Sequence, residues 1–319
     1  MKIGVILAAL AGLALAAWLV FHIGFASVLG AVASVGWSGF AILCVFQLAL
    51  FAVLGAAWCA LIPNGRFVTF IWSRMVRDSA GEVLPFSQFG GILVGERTLV
   101  LNGYSTPAAF APSTVDLTTE MLEQVAFIAL GIAIFAARYG IHAGGLPAAT
   151  LAGVAFVIAG SIAFIVLQRR GVGLAASLAA RLLPAAEQHT QAFGRELEAL
   201  YASPARLAAS SFVHLIGWIA SGIALWLAIR LIGGNIDIAG AIAIESILCA
   251  LRSAAVVVPG ALGVQEAGYA LLLPLFGLPA EMGLAVSLLK RAREIVIGVP
   301  VLLAWQGMEG RRALAAPKP

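Results

Sequence analysis

The sequence predicts an all-α fold: a polytopic helical membrane protein of roughly six to eight spans, with two re-entrant broken segments related as an inverted repeat. Three observations predict it. Of 319 residues, 62% are hydrophobic and 11% are charged, where a soluble domain has roughly 25% charged residues. A water-facing surface cannot be assembled from so few charges. The apolar residues gather in stretches of about the 20 residues that a bilayer requires. Two of these stretches are interrupted by Gly and Pro at matching places. Pro85 to Gly103 and Pro259 to Gly277 are both 18 residues, and Pro85 to Glu120 and Pro259 to Glu294 are both 35.

Each element has a local reason. After Lys2, residues 3–21 form an apolar run longer than a signal-peptide core, with no small-x-small cleavage site behind it, and read as a retained first span. Residues 22–35 carry no formal charge and read as a loop. Residues 37–61 are the second span, closed by Pro63-Asn64-Gly65. Residues 66–80, with Trp72, Arg74 and Arg77, suit an interfacial helix. Residues 81–103 are too short to cross twice and too glycine-rich for one regular span, so they read as re-entrant. Pro107 and Pro112 mark the start of a long span to residue 137. A loop over 138–147 and a span over 148–168 follow. Residues 168–206 are the only extended polar stretch, with an amphipathic surface helix over 174–200. Then come a span over 207–232, a turn at Gly233-Gly234-Asn235, and a partial or full span over 236–258. The second broken segment covers 259–277, and a final span covers 280–306. The chain, 1–319, reads as a single integral membrane domain with pseudo-repeat halves at about 66–138 and 240–308.

Basic residues fix the expected orientation. Lys2, the 66–77 connection, the 168–206 connection and the tail with Arg311, Arg312 and Lys318 are the Lys/Arg-rich parts. The positive-inside rule places them, and both termini, in the cytoplasm. The first broken segment then dips in from the cytoplasmic side and the second from the outer side. The net charge of +4 reflects these anchors, so nucleic acid is not an expected partner. Cys44, Cys59 and Cys249 have no metal-ligand spacing and the four histidines are scattered, so neither metal nor cofactor is expected. The tryptophans fall mostly near span ends, as interfacial belts do.

The candidate site is read from charges in apolar stretches. Asp116, Glu120 and Glu123 share one helical face, and Glu120 lies about 20 Å along its helix from Pro107. Lys290, Arg291, Arg293 and Glu294 form the second group, with Lys290 about 15 Å deep. Charges at such depth cost from about 2.5 kcal/mol upward and usually face a cavity or a partner. Ion pairs across the repeat are expected to involve Arg293 and Arg97 or Glu120. Glu245 and Arg252 are seven residues apart on one face, bridging each other or the other half. Arg77, Glu82, Glu96 and Arg97 bring the same mixture to the first broken segment. The stretch from Pro259 and Gly260 through Gly263 to Glu266 combines a missing donor, close backbone approach and a carboxylate after the turn. The cationic surplus at 290–293 suits a phosphate-bearing headgroup. For each residue singly, a structural ion pair or a wetted interface is an equal reading; together they point to a site.

These residues carry a family resemblance. Gly81-Glu82-Val83-Leu84-Pro85, Gly103, Asp116, Glu120 and the run from Pro259 through Ala267 resemble the flippase-like membrane domain, the transmembrane region of lysylphosphatidylglycerol synthase. The family's second motif has a glycine where Ala261 stands, and Gln265 precedes Glu266. The stretch Arg77-Asp78-Ser79-Ala80-Gly81-Glu82 is most similar to a branch associated with hopanoid biosynthesis. The resemblance covers nearly the whole chain. It implies a bacterial inner-membrane protein that moves or handles a lipid; these 319 residues are not expected to carry the synthase's soluble transferase.

The leading expectation is therefore a lipid transporter or flippase-like protein taking a hopanoid or an anionic lipid. Arg252, Lys290, Arg291 and Arg293 would hold the headgroup, and Glu82, Glu120 and Glu266 would pair with them in an empty site or take part in proton coupling. The rivals are a membrane-embedded lipid enzyme, such as a polyprenyl pyrophosphate phosphatase, and a non-transporting partner of a biosynthetic enzyme. A phosphatase would want Ser and Arg after Pro-Gly, where Ala261 and Leu262 stand, so the reading leans away from an enzyme. A homo-oligomer or an enzyme partner is compatible with the sequence.

Overall fold

With no water in the bilayer to satisfy exposed peptide groups, apolar runs of this length close their hydrogen bonds within the chain as helices. The computed structural model describes residues 25–62, 65–83, 87–139, 155, 158, 159, 184–255 and 261–315. The span read at 3–21, all of that read at 148–168 except residues 155, 158 and 159, and the arginines at 169, 170 and 181 lie outside them. The helices are α1 (Phe25–Leu61), α2 (Phe67–Val83), α3 (Ser87–Leu101), α4 (Thr106–Tyr139), α5 (Pro184–Tyr201), α6 (Pro204–Leu231), α7 (Ile238–Ala254), α8 (Val264–Leu272) with a 3-10 turn at Leu273–Phe276, and α9 (Ala280–Ala315). There is no strand among the described residues, and the fold is all-α. Residues 33–61, 106–138 and 204–231 are long and apolar enough to cross a membrane. Helix α9 is longer still, at 36 residues, but carries four charges between Lys290 and Glu294.

The same succession of elements occurs twice. A long apolar helix (α1, α6) leads to a shorter helix (α2, α7), a break, another short helix (α3, α8), a left-handed glycine and a long helix (α4, α9). The glycines are Gly103, with φ 97, and Gly277, with φ 77, a conformation that disfavours any residue with a Cβ. The packing repeats as well. Helix α1 packs on α6, α4 on α7 as α9 on α2, and α4 on α6 as α9 on α1. Thus the long helix of each half lies against the first short helix of the other. The long helices run antiparallel. Arg66, at the start of α2, donates its backbone N–H to the Tyr104 hydroxyl, where α4 begins, and Arg97 reaches Glu309 near the end of α9. At the other end, Phe135 of α4 packs tilted against Phe276, with ring centroids 6.0 Å apart, and Arg138 pairs with Asp237. Helix α5 lies against α4 and α6 through Phe193, Leu197, Leu200 and Tyr201.

Four expectations change. The loop read at 22–35 is helical from Phe25, with Gly36 at φ 71 turning the chain inside α1. The interfacial helix over 66–80 is instead α2, whose Arg74 and Arg77 are buried. The pattern of aromatic and basic residues is the same in both cases; acids 42 residues away draw these arginines inward. The cytoplasmic signal from the 66–77 connection therefore reduces to the exposed Arg66. Residues 87–101, inside the first broken segment, form a continuous helix despite Gly90, Gly91 and Gly95, because α3 packs tightly on α2 and Gly91 and Gly95 admit the approach. The last helix reaches Ala315 rather than 306.

Candidate functional site

Charged residues inside apolar helices must find partners, and here they gather into two clusters near the middle of the long helices. At 1.5 Å per residue, Asp116 and Glu120 lie about 15 and 21 Å from the start of α4, and Lys290 and Glu294 the same from the start of α9. Because α4 and α9 run antiparallel, these distances run inward from opposite ends of the fold.

The first cluster joins α2, α4 and α6. Arg74 and Arg77 are three residues apart and Asp116 and Glu120 four, so each pair shares a face. Arg77 donates from Nη1 to Asp116 Oδ2 at 2.9 Å and from Nη2 to Glu120 Oε2 at 2.7 Å. Arg74 donates to Asp78 at 3.0 Å, to Asp116 at 3.4 Å and to both oxygens of Glu120. His214 Nε2 lies 2.8 Å from Asp116 Oδ1, and both side chains are 0% exposed. Trp218 donates to the Glu120 carbonyl at 3.2 Å. Such fork geometry is the strong form of a carboxylate contact. Glu123 is half-buried and makes no ion pair among the described residues.

The second cluster joins α7, α8 and α9 with Glu82 from α2. Lys290 Nζ donates to Glu245 Oε1 at 2.6 Å and to the Tyr269 hydroxyl at 2.7 Å, and that hydroxyl donates to Glu245 Oε2 at 2.5 Å. This triad is closed. Beside it, Arg252 Nη2 donates to Glu82 Oε1 at 2.9 Å. Arg291 reaches Glu82 at 3.7 Å, Glu266 at 3.3 Å and Glu294 at 3.3 Å. Glu266 is itself fixed, accepting from the Gly263 backbone at 2.8 Å, as the first turn of α8 requires, and from Ser287 at 2.9 Å. Two guanidinium atoms stay unused: Arg291 Nη2 and Arg293 Nε are buried without a hydrogen-bond partner among the described residues. Arg293 has one ion contact among the described residues, to Glu294 at 3.9 Å.

The structure thus brings Arg77, Asp116 and Glu120 together in one place and Glu82, Glu245, Arg252, Glu266, Lys290, Arg291, Arg293 and Glu294 in another. Pro259 and Gly260 lie outside the described residues. Arg97 joins neither cluster: it is half-exposed and bound to Glu309 at 2.7 Å. The ion pairs expected between Arg293 and Glu120, and locally between Glu245 and Arg252, are replaced. Glu120 is engaged by Arg74 and Arg77 of its own half, and Glu245 by Lys290. The cluster ion pairs that cross between halves are Glu82 with Arg252 and Arg291, and Asp116 with His214. The sequence reading missed His214, Tyr269 and the inward role of Arg74. A polar face inside an apolar span marks His214, since Ser210 and His214 are four apart and both buried.

Two smaller ion pairs lie outside the clusters, Arg97 with Glu309 and Arg138 with Asp237, at opposite ends of the long helices. The hydrogen bond from Arg138 holds the Asp237 carboxyl below the usual carboxylate range.

These features define an α-helical membrane protein whose interdigitated halves bury two sets of opposed charges. Residues 5–301 match the family described as the lysylphosphatidylglycerol synthase TM region, and the chain belongs to that family. No curated protein and no solved structure matches it.

Proposed function

We propose that the protein moves an anionic amphiphile between the leaflets of a bacterial inner membrane, and that the second cluster takes the headgroup. One observation carries this reading: Arg291 and Arg293 are buried within the long helix α9, each with a guanidinium nitrogen that has no hydrogen-bond partner among the described residues. A buried cation with spare donors is costly unless an anion completes it, and a phosphate accepts from such forks better than from a point charge. The headgroup binds Arg293 and Arg291 and displaces Glu294, with Arg252 beside them. Lys290, Glu245 and Tyr269 hold the wall. The two broken segments, α2–α3 and α7–α8, act as re-entrant hairpins of an inverted repeat. Their arms of 17, 15, 17 and 9 residues span less than the roughly 30 Å of the hydrocarbon core. Both termini face the cytoplasm, where a hopanoid-type or other lipid-synthesising enzyme, or a second copy, is the fitting partner.

The test is leaflet exchange in proteoliposomes carrying trace fluorescent phosphatidylglycerol or phosphatidylcholine. The native protein is expected to move the anionic lipid faster. Arg291→Gln with Arg293→Gln removes charged hydrogen bonds worth about 1.5–3 kcal/mol each and lowers that rate by about tenfold or more. Unchanged rates in this double variant would sink the assignment.

A further inference from the structure

The first cluster has more acid than base. Arg74 and Arg77 face Asp78, Asp116 and Glu120, and a fourth carboxyl, Glu96 of α3, is buried beside Arg77, Asp116 and the Ser113 hydroxyl. Glu96 is 1% exposed, has no ion pair among the described residues, and its Oε2 has no hydrogen-bond partner. His214 is equally buried, and with Nε2 on Asp116 its Nδ1 is also without a partner. Two buried atoms able to take a proton therefore belong to a cluster in which two guanidiniums meet four carboxyls. A surplus of two negative charges in a low-dielectric interior is strongly unfavourable. One proton on Glu96 and one on His214 bring the sum to zero.

We propose that the first cluster is a proton-binding site, loaded at Glu96 Oε2 and His214 Nδ1. The neutral imidazole donates Nε2–H to Asp116 and leaves Nδ1 as a bare acceptor. An incoming proton adds to that lone pair, giving an imidazolium whose charge Asp116 meets directly. A second forms an O–H bond on Glu96, and the cluster's arginines keep their protons throughout. Among the described residues, no other charged side chain forms an ion pair with Asp116, Glu120 or His214. Helix α1 carries no charged residue, only the thiols of Cys44 and Cys59. Helix α5 contributes the Tyr201 hydroxyl, bonded to Thr118 at 3.3 Å. The charges of α7, Glu245 and Arg252, and those of α9 from Lys290 to Glu294 belong to the second cluster. Proton binding does not depend on lipid transport. Its use as the driving force does, and rests on the function proposed above.

The test uses the full chain in lipid nanodiscs. Replacing His22, His142 and His189 by Asn leaves His214 as the sole histidine. Its ring nitrogens, labelled with nitrogen-15, are followed as the pH is lowered across the range in which the chain stays folded. The expected result is a reversible change from one protonated ring nitrogen to two. Infrared spectra of the native chain are expected to show the carbonyl stretch of a buried protonated acid, lost in Glu96→Gln. An imidazole that stays neutral throughout, or an acid band unchanged in Glu96→Gln, overturns the proposal. If Glu96→Gln fails to fold, the histidine measurement still decides. In proteoliposomes, an inward proton gradient is expected to accelerate anionic lipid exchange in the native protein and not in His214→Asn. Proton binding without any lipid exchange overturns the transport reading alone. Lipid exchange with neither spectroscopic signal overturns the proton site alone.

Discussion

The triad of Lys290, Glu245 and Tyr269 makes a sharp quantitative demand. Its three hydrogen bonds, 2.5–2.7 Å long, join side chains that are buried together. Lys290→Met keeps the volume of the stem and removes the ammonium. Removing one partner of a buried pair costs about 3–5 kcal/mol, because the other charge is left uncompensated. Here Glu245 keeps the Tyr269 hydroxyl, so the expectation lies at the lower end, about 3 kcal/mol. Adding Glu245→Gln removes the stranded charge and leaves an amide oxygen for Tyr269. The double variant should fall within about 1 kcal/mol of native, so the cycle should give a coupling of about 2 kcal/mol or more. Unfolding in lipid–detergent micelles by increasing denaturing detergent measures all four corners. A single variant within about 1 kcal/mol of native, or a double variant as weak as the single, would refute a closed structural pair. Lys290 would then be free to hold a headgroup, and lipid exchange in the double variant would be lost rather than retained.

Outcomes at four further positions are checked by the same unfolding measurement. Gly283→Ala places a Cβ 2.6 Å from the Tyr269 carbonyl carbon, which is backbone and cannot rotate away, and should cost about 1–3 kcal/mol; Gly307→Ala meets nothing within 4 Å and should gain about 0.4–1 kcal/mol. Ala261 stands at φ 46, so Ala261→Gly relieves a left-handed residue worth about 1–2 kcal/mol and should raise stability by somewhat less, about 0.5–1 kcal/mol after the chain-entropy loss. Asp237 caps α7 through the Gly240 N–H at 3.1 Å, so Asp237→Ala should cost about 1 kcal/mol and Asp237→Asn only a few tenths. Its folded pKa is depressed by Arg138, so its contribution is present above the ordinary carboxylate value of about 3.9 and is lost as pH falls through the lower folded value. Since the pair is half-exposed, that loss is at most about 1 kcal/mol.

Length and hydropathy made the long helices legible, because a bilayer imposes about 20 apolar residues on any span. The mid-depth charges were legible for the same reason: Asp116, Glu120, Arg252 and Lys290 to Glu294 interrupt runs where charge is costly. What stayed hidden is partner choice. Arg74 and Arg77 beside Trp72 look interfacial in one dimension, and only the approach of α4 shows that they are interior. Arg97 lies in an apolar run like the others, yet its partner Glu309 is 212 residues away and at the surface. His214 is one polar side chain among apolar ones, and nothing in its neighbours names Asp116. The glycines of α3 read as breaks because glycine weakens an isolated helix; where a second helix presses closely, the same residues make the contact possible.

Helix α2 gives the two clusters a mechanical connection. Arg74, Arg77 and Asp78 belong to the first cluster, and Glu82, one turn beyond Asp78, belongs to the second. A rigid helix cannot move one group without the other. On the transport function and proton site proposed above, loss of the first cluster's protons would shift the α2 arginines and move Glu82 relative to Arg252 and Arg291, leaving those guanidiniums short of an acceptor and open to a phosphate. Glu82→Gln breaks this link without touching either proton acceptor. It is expected to leave the Glu96 acid band and the His214 titration in place, and to make anionic lipid exchange insensitive to pH. Exchange in Glu82→Gln that follows pH as steeply as in the native protein would show that the clusters communicate by another route, and the role given to α2 would fall.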